Sequence, residues 1–248
     1  MRAAWLLLVA VAGCSDDAPK NQLHPVDAPV DGPIVPIDQP DAGPCGSGRF
    51  VTGEVLDLDS SNASFLGVNN LGIYVQGSTE DDATSPNGRF ELCVPSATGS
   101  VTFDVVADPN ATPRYHDGFL YLDADAIANS IGFRPISLRA FDQERALTLY
   151  QERGLTYDPT KAHVIVWTGG DVGPQVTLDR PHDPAQYAYL DGGGVITWDP
   201  SYGQYTLIPN VDATSPTGTL TDIEPHTIPL AADKLTLVGI SYFLPDVR

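Results

Sequence analysis

From Arg89 to Val94 the chain alternates without a break: Phe90, Leu92 and Val94 are apolar, Arg89, Glu91 and Cys93 take the intervening positions, and Asn87-Gly88 stands immediately before them. A period of two puts successive side chains on opposite faces, so this segment reads as a half-buried strand. Asn-Gly supplies the positive φ that a tight turn needs, and Pro86 closes off any strand ahead of it. Val101, Phe103 and Val105 repeat the alternation against Thr102 and Asp104. Further short apolar runs fall at 163–167, 175–179, 195–198, 204–208 and 235–243. That spacing predicts an all-β chain of the sandwich type. Composition points the same way: 26 of the 32 acidic residues are Asp, beside 23 Gly and 22 Pro, and all three residue types favour turns over helix interiors.

One segment departs from the pattern. Asp142 before QERALTLYQER, Glu144 in its first turn, Arg153 in its last and Gly154 beyond it predict a helix over 143–153. Phe141 and Leu155 would close its two ends against Ala146 and Tyr150, and Ala146, Leu147 and Tyr150 would form its buried face.

The N-terminal residues carry a different signal. Arg2 precedes a ten-residue apolar run, Ala3 to Ala12, against the roughly 20 residues a spanning helix needs, so it reads as a secretory signal. Its end, Val11-Ala12-Gly13-Cys14, resembles the lipobox of bacterial lipoproteins, which implies cleavage before Cys14 and a lipid on its thiol. An ordinary secretory signal with an incidental Cys is the alternative. Ser15 after the cysteine implies the outer membrane of a Gram-negative cell envelope. Residues 15–44 hold seven Pro, six Asp and a single Lys without periodicity, the composition of a disordered tether that reaches on the order of 90 Å when extended. A formal charge of −19, from 13 basic and 32 acidic side chains, leaves no net attraction for phosphates and excludes nucleic acid as a partner.

FVTGEVLD, LGIYVQG, TSPNGRFELCVP and SVTFDVVA follow in order between residues 50 and 107. They resemble the carboxypeptidase regulatory-like, or transthyretin-like, β-sandwich, through Gly53, Val55, Gly72, Ile73, Val75, Thr84, Gly88, Phe90, Leu92, Val94 and Pro95. The resemblance spans about residues 49–125 and implies a fold without implying a chemistry. His163 to Trp167, the GPQVTL run from Gly173, and Gly203, Tyr205 and Leu207 echo the same order, with an insertion around Tyr187 to Gly194. The expected division is a signal peptide at 1–13, a linker at 14–44, a regulatory-like sandwich at 45–136, a helical connector at 137–160 and a second sandwich at 161–248. Whether the second half is a repeat or part of one larger sandwich stays open at this level.

No catalytic signature is present. No His begins a His-x-x-Glu or His-Glu-x-x-His pattern, and Gly-x-Ser-x-Gly is absent. Intradiol dioxygenases, which share a related sandwich, need two Tyr and two His around iron. His116, His163, His182 and His226 are widely scattered, so no metal or cofactor is expected. Asp57, Asp59 and Ser61 begin a calcium-loop pattern, but Asn62 replaces its Gly and Val68 its final Glu; Asp81 with Asp82, or Asp123 with Asp125, could form a looser site. Cys45 and Cys93 are expected to bridge at a sheet edge, with two free thiols as the alternative. The bridge would close a loop of 49 residues and contribute roughly 4 kcal/mol by chain entropy. Trp198, Asp199, Tyr202 and Tyr205, with Tyr187 and Tyr189 upstream, form the densest aromatic cluster. It is either sheet core or a sugar-stacking patch. The leading expectation is a non-catalytic, lipid-anchored envelope protein that displays β domains for protein interaction or envelope architecture; polysaccharide binding is the alternative, and a hydrolase or metal enzyme with an unrecognised site the third.

Overall fold

The first hairpin forms where its turn chemistry places it. Gly88 adopts φ +75°, and a Cβ there would come within 2.1 Å of the Val55 carbonyl oxygen, so both the turn and the close approach of the neighbouring strand require glycine. This is a computed structural model, and it describes residues 45–46, 48–58, 67–79, 81–95, 99–130, 136–168, 176–190, 196–199 and 203–240. These all fall in one compact unit, Gln39–Arg248. Cys14 and the tether lie outside the described residues.

The chain is all-β, with two short helices among the described residues. The first half holds β1 (Arg49–Asp57), β2 (Leu71–Val75), β3 (Asp81–Ala83), β4 (Arg89–Val94), β5 (Val101–Ala107), β6 (Gly118–Leu122), α1 (Ala124–Asn129) and β7 (Ile136–Ala140). After α2 (Gln143–Glu152) come β8 (Ala162–Trp167), β9 (Thr177–Leu178), β10 (Gln186–Leu190), β11 (Ile196–Asp199), β12 (Tyr205–Val211), β13 (Thr217–Thr221), β14 (Pro225–Pro229) and β15 (Leu235–Gly239).

A nine-stranded sheet in the order β11-β10-β12-β8-β15-β6-β5-β2-β3 is the centre of the fold. Two three-stranded sheets, β4-β1-β7 and β14-β13-β9, complete it. In the central strands the period of two sorts side chains between two cores. Leu120, Leu122, Ile165, Trp167, Leu235 and Leu237 join the core that holds Val51, Phe90, Leu92 and Leu138 of the β4-β1-β7 sheet. The alternate residues Tyr121, Val164, Val166 and Val238 join the core that holds Leu178, Leu220 and Ile228 of the β14-β13-β9 sheet. Strands covered on both faces read as apolar runs, which is why all six residues of β8 are buried.

β15 lies between β6 and β8, parallel to both. The segments 45–136 and 161–248 therefore meet inside one sheet and share its larger core. Within 137–160 only α2 is helical, because Ile136–Ala140 is a strand paired in parallel with β1. Tyr187 to Leu190, read from the sequence as an insertion, belongs to β10.

α2 begins and ends as its sequence dictates. The Asp142 side chain accepts the Arg145 N–H at 2.7 Å. Gly154, at φ +71°, donates to Gln151 O and Leu155 donates to Tyr150 O, the paired closure of a left-handed helix end. Its buried face is Ala146, Leu149 and Tyr150; Leu147, placed on that face by the sequence reading, is 54% exposed. Cys45 and Cys93 form the expected disulfide, with Cα atoms 5.2 Å apart, on the outer strand β4.

Candidate functional site

Two clusters of polar side chains are buried around α2. The first contains the aromatic residues singled out by the sequence. Ala188 of β10 pairs with Trp198 of β11 on one side and with Tyr205 of β12 on the other, so these three side chains form one row on one face of the sheet. Tyr187 pairs with Asp199 and Tyr189 with Thr197, which sends them to the opposite face. The structure thus divides the cluster, and Asp199 does not stand beside Trp198. Tyr202 lies outside the described residues.

Arginines cover the row. The Arg153 guanidinium, at the C-terminal cap of α2, sits 4.7 Å from the Trp198 ring centre, and that of Arg139 on β7 sits 5.4 Å from the Tyr205 ring centre. Tyr205 is 2% exposed and packs in the core, so its ring offers no open face for a sugar. Trp198 is half-buried and one face of its ring carries Arg153. Burial beside Arg145 lowers the Arg153 pKa against the pull of Glu152. The hydrogen-bond donors Arg139 Nε and Nη2, Arg153 Nε and Trp198 Nε1 are buried without an acceptor.

The second cluster gathers His116, Phe141, Tyr150, Tyr157 and His163. His163 of β8 is fully buried on the α2 side of the sheet. Its Nδ1 lies 2.7 Å from Tyr150 Oη and 3.4 Å from the Asn210 backbone N–H. That N–H can only donate, so Nδ1 accepts, Tyr150 donates its hydroxyl proton, and the neutral ring carries its hydrogen on Nε2. The Tyr157 ring stacks on His163 at 4.5 Å and 17°, while His116 meets Phe141 edge-on at 5.3 Å. Burial pushes the His163 pKa down to about 3, and the nearby His116 pushes the same way against the opposing pull of Asp158. His116 is also lowered by burial, against Asp233, Asp142 and Asp117. Burial raises the hydroxyl pKa of both Tyr150 and Tyr157.

Two Tyr and two His converge here from positions the sequence shows only as scattered. Among the described residues no group of three or more His, Cys, Asp or Glu side chains is placed to hold a metal. One member of each Asp pair serves the backbone: Asp82 accepts the N–H groups of Ala83 and Glu91, and Asp123 caps α1 by accepting from Ala126. At His226, Tyr121 Oη lies 3.4 Å from Nδ1 and Asp222 Oδ1 3.2 Å from Nε2, so both ring nitrogens are engaged.

Beside the His-Tyr cluster lies a cleft of about 420 Å3 lined by Tyr157, Asp158, Lys161, Asp183 and Asn210. Asn210 holds its walls together. At φ +52°, its side chain accepts from Asp158 N and donates to Thr156 O and Asp183 Oδ2, at 3.0, 2.7 and 2.6 Å. Asn210→Ala is expected to lower the unfolding free energy by about 2–3 kcal/mol, since three bonds are lost and a left-handed residue gains strain. Urea unfolding would measure it, and a change below about 0.5 kcal/mol would contradict this role.

Comparison with known proteins adds no relative: no family model, no curated protein and no solved structure matches the chain.

Proposed function

We propose that the chain is a non-catalytic, lipid-anchored protein of the cell envelope, which holds its β domain away from the membrane for contact with a protein partner. The carrying observation is the apolar run Ala3 to Ala12 ending in Val11-Ala12-Gly13-Cys14. A diacylglyceryl group on the thiol carries two acyl chains, enough to anchor a protein stably without a spanning helix. The Pro- and Asp-rich segment that follows suits a spacer.

The Cys45–Cys93 disulfide supports export, because such bonds persist in oxidising compartments. No helix among the described residues is long and apolar enough to cross a membrane. Ser15 favours the outer membrane, and the transthyretin-like motifs favour a display domain. The buried His side chains favour a structural role: among the described residues, His163 bonds to a Tyr hydroxyl and a backbone N–H rather than to a Ser or Cys nucleophile.

Cell fractionation of a Cys14→Ser variant tests the reading. The wild-type chain is expected in the membrane pellet and released only by detergent, and the variant in the soluble fraction. A variant that pellets as the wild type does would overturn the anchor.

A further inference from the structure

Arg139 is 2% exposed, yet only one end of its guanidinium is satisfied within the protein. Nη1 donates to the Asp57 carbonyl oxygen at 3.1 Å and fixes the plane of the group. Nε and Nη2, both buried without an acceptor, lie along one edge and point their N–H bonds the same way. That edge is the fork with which arginine grips two oxygens of a carboxylate, phosphate or sulfate.

Among the described residues no carboxylate bonds to this edge. Asp57 Oδ2 accepts the Tyr115 hydroxyl at 2.5 Å, and both oxygens of Glu152 accept from Arg145 at 3.0 Å. Along the row Tyr205, Ala188, Trp198 the same face carries a second guanidinium, Arg153, and the Trp198 indole N–H. At about 5 Å per strand step, the two covered rings stand roughly 10 Å apart. Every unsatisfied group in the row is a donor. A neutral sugar, whose hydroxyls both donate and accept, would use this polarity poorly, whereas an anion uses all of it.

Buried guanidinium N–H groups without an acceptor are costly, and an anion on that edge offsets the cost. We infer that Arg139 is the seat of an oxyanion-binding site, with Arg153 and Trp198 farther along the same row, for a ligand presenting one carboxylate, phosphate or sulfate group. The chain's net charge of −19 repels anions at long range, so affinity here has to come from local geometry.

Isothermal titration of the detergent-solubilised full-length mature protein with sodium phosphate, sulfate or acetate, at constant ionic strength made up with chloride, provides the test. At least one of the three is expected to bind saturably, and the tightest identifies the anionic group. Arg139→Lys keeps the charge but loses the fork, and should weaken binding at least tenfold. Arg153→Gln, at a half-buried position, should weaken it severalfold even if the Arg139 variant fails to fold. Arg180→Gln, whose arginine bonds to Thr217 O on the far sheet, should bind as the wild type does. No saturable binding of any of the three, or a wild-type affinity in a folded Arg139→Lys or in Arg153→Gln, would overturn the site. Membrane partitioning of Cys14→Ser is a separate readout, so failure here leaves the anchor untouched.

Discussion

Gly118→Ala is expected to lower stability by about 4 kcal/mol or more, enough to unfold much of the protein, because it wedges apart the strands that join the two halves. A Cβ at Gly118 would lie 1.8 Å from the Leu235 carbonyl oxygen and 2.7 Å from its carbon, both backbone atoms of β15. Backbone cannot swing aside as a side chain can. The surrounding bonds fix the register further: Leu235 N donates to Asp117 O, Asp117 Oδ1 accepts from Ala107 N, and Asp117 Oδ2 meets Lys234 Nζ at 3.1 Å. Asp117 thus ties β5 to the turn before β15. Gly99→Ala is the control, since nothing lies within 4 Å of its Cβ, and it should change stability by less than about 0.5 kcal/mol. Guanidinium unfolding of both variants measures the difference. Equal stabilities would mean that β6 and β15 are not in contact at Gly118.

The second large effect is acid lability. His163 is neutral in the fold, with a pKa of about 3, whereas a histidine in the unfolded chain binds a proton near 6.5. Below 6.5 the unfolded state therefore holds more protons, and stability falls as pH falls. The loss is about 1.4 kcal/mol per pH unit for one such residue, continuing until the pH nears the folded value of about 3. By pH 4 His163 alone would have removed roughly 3 kcal/mol. His116, lowered by the same burial, adds to the loss. Asp117, whose carboxyl is held low by the Ala107 N–H and Lys234, works in the same direction at lower pH. His163→Asn keeps an acceptor near the Nδ1 position for the Tyr150 hydroxyl but does not titrate. Between pH 6.5 and 4.5 the unfolding midpoint of the wild type should drop steeply, and that of the variant should be much flatter, whatever its starting stability. Parallel slopes would show that His163 is not the neutral buried group described.

Both effects arise where the sequence is hardest to read, and the reason is physical. The α2 helix was legible because its signals are local: Asp142 caps four residues from Ala146, and Gly154 follows directly on the last turn. The hairpin at Asn87-Gly88 was legible for the same reason, and the disulfide because Cys45 and Cys93 are the two cysteines left once Cys14 is set aside as the expected lipidation site. Long-range neighbours are different. Nothing within LTLVG says that it enters between β6 and β8, 117 and 72 residues from its register partners Gly118 and His163. Its apolar character reports only burial on both faces. Periodicity alone does not separate Leu147 from Leu149, because the facing angle of α2 is set by its packing, which buries Leu149 and leaves Leu147 exposed.

At the site, residue identity was informative and placement was not. Trp198 and Tyr205 do share a face, as alternate-strand residues can, but the register that sends Asp199 and Tyr187 the other way is invisible in one dimension. Arg139 and Arg153 lie 14 residues apart on a strand and at a helix end; only the sheet brings them to one row. His163 carried a usable signal, since it sits inside an apolar strand, AHVIVW, all six residues of which are buried.

The reading of the whole chain rests on Cys14. Intact mass and N-terminal fragment spectra of the protein extracted from membranes with detergent examine it most directly. The proposed anchor predicts a chain lacking residues 1–13, beginning at Cys14, with the mass of a diacylglyceryl group on that cysteine. A chain that retains residues 1–13, or one cut elsewhere with an unmodified Cys14, would contradict it.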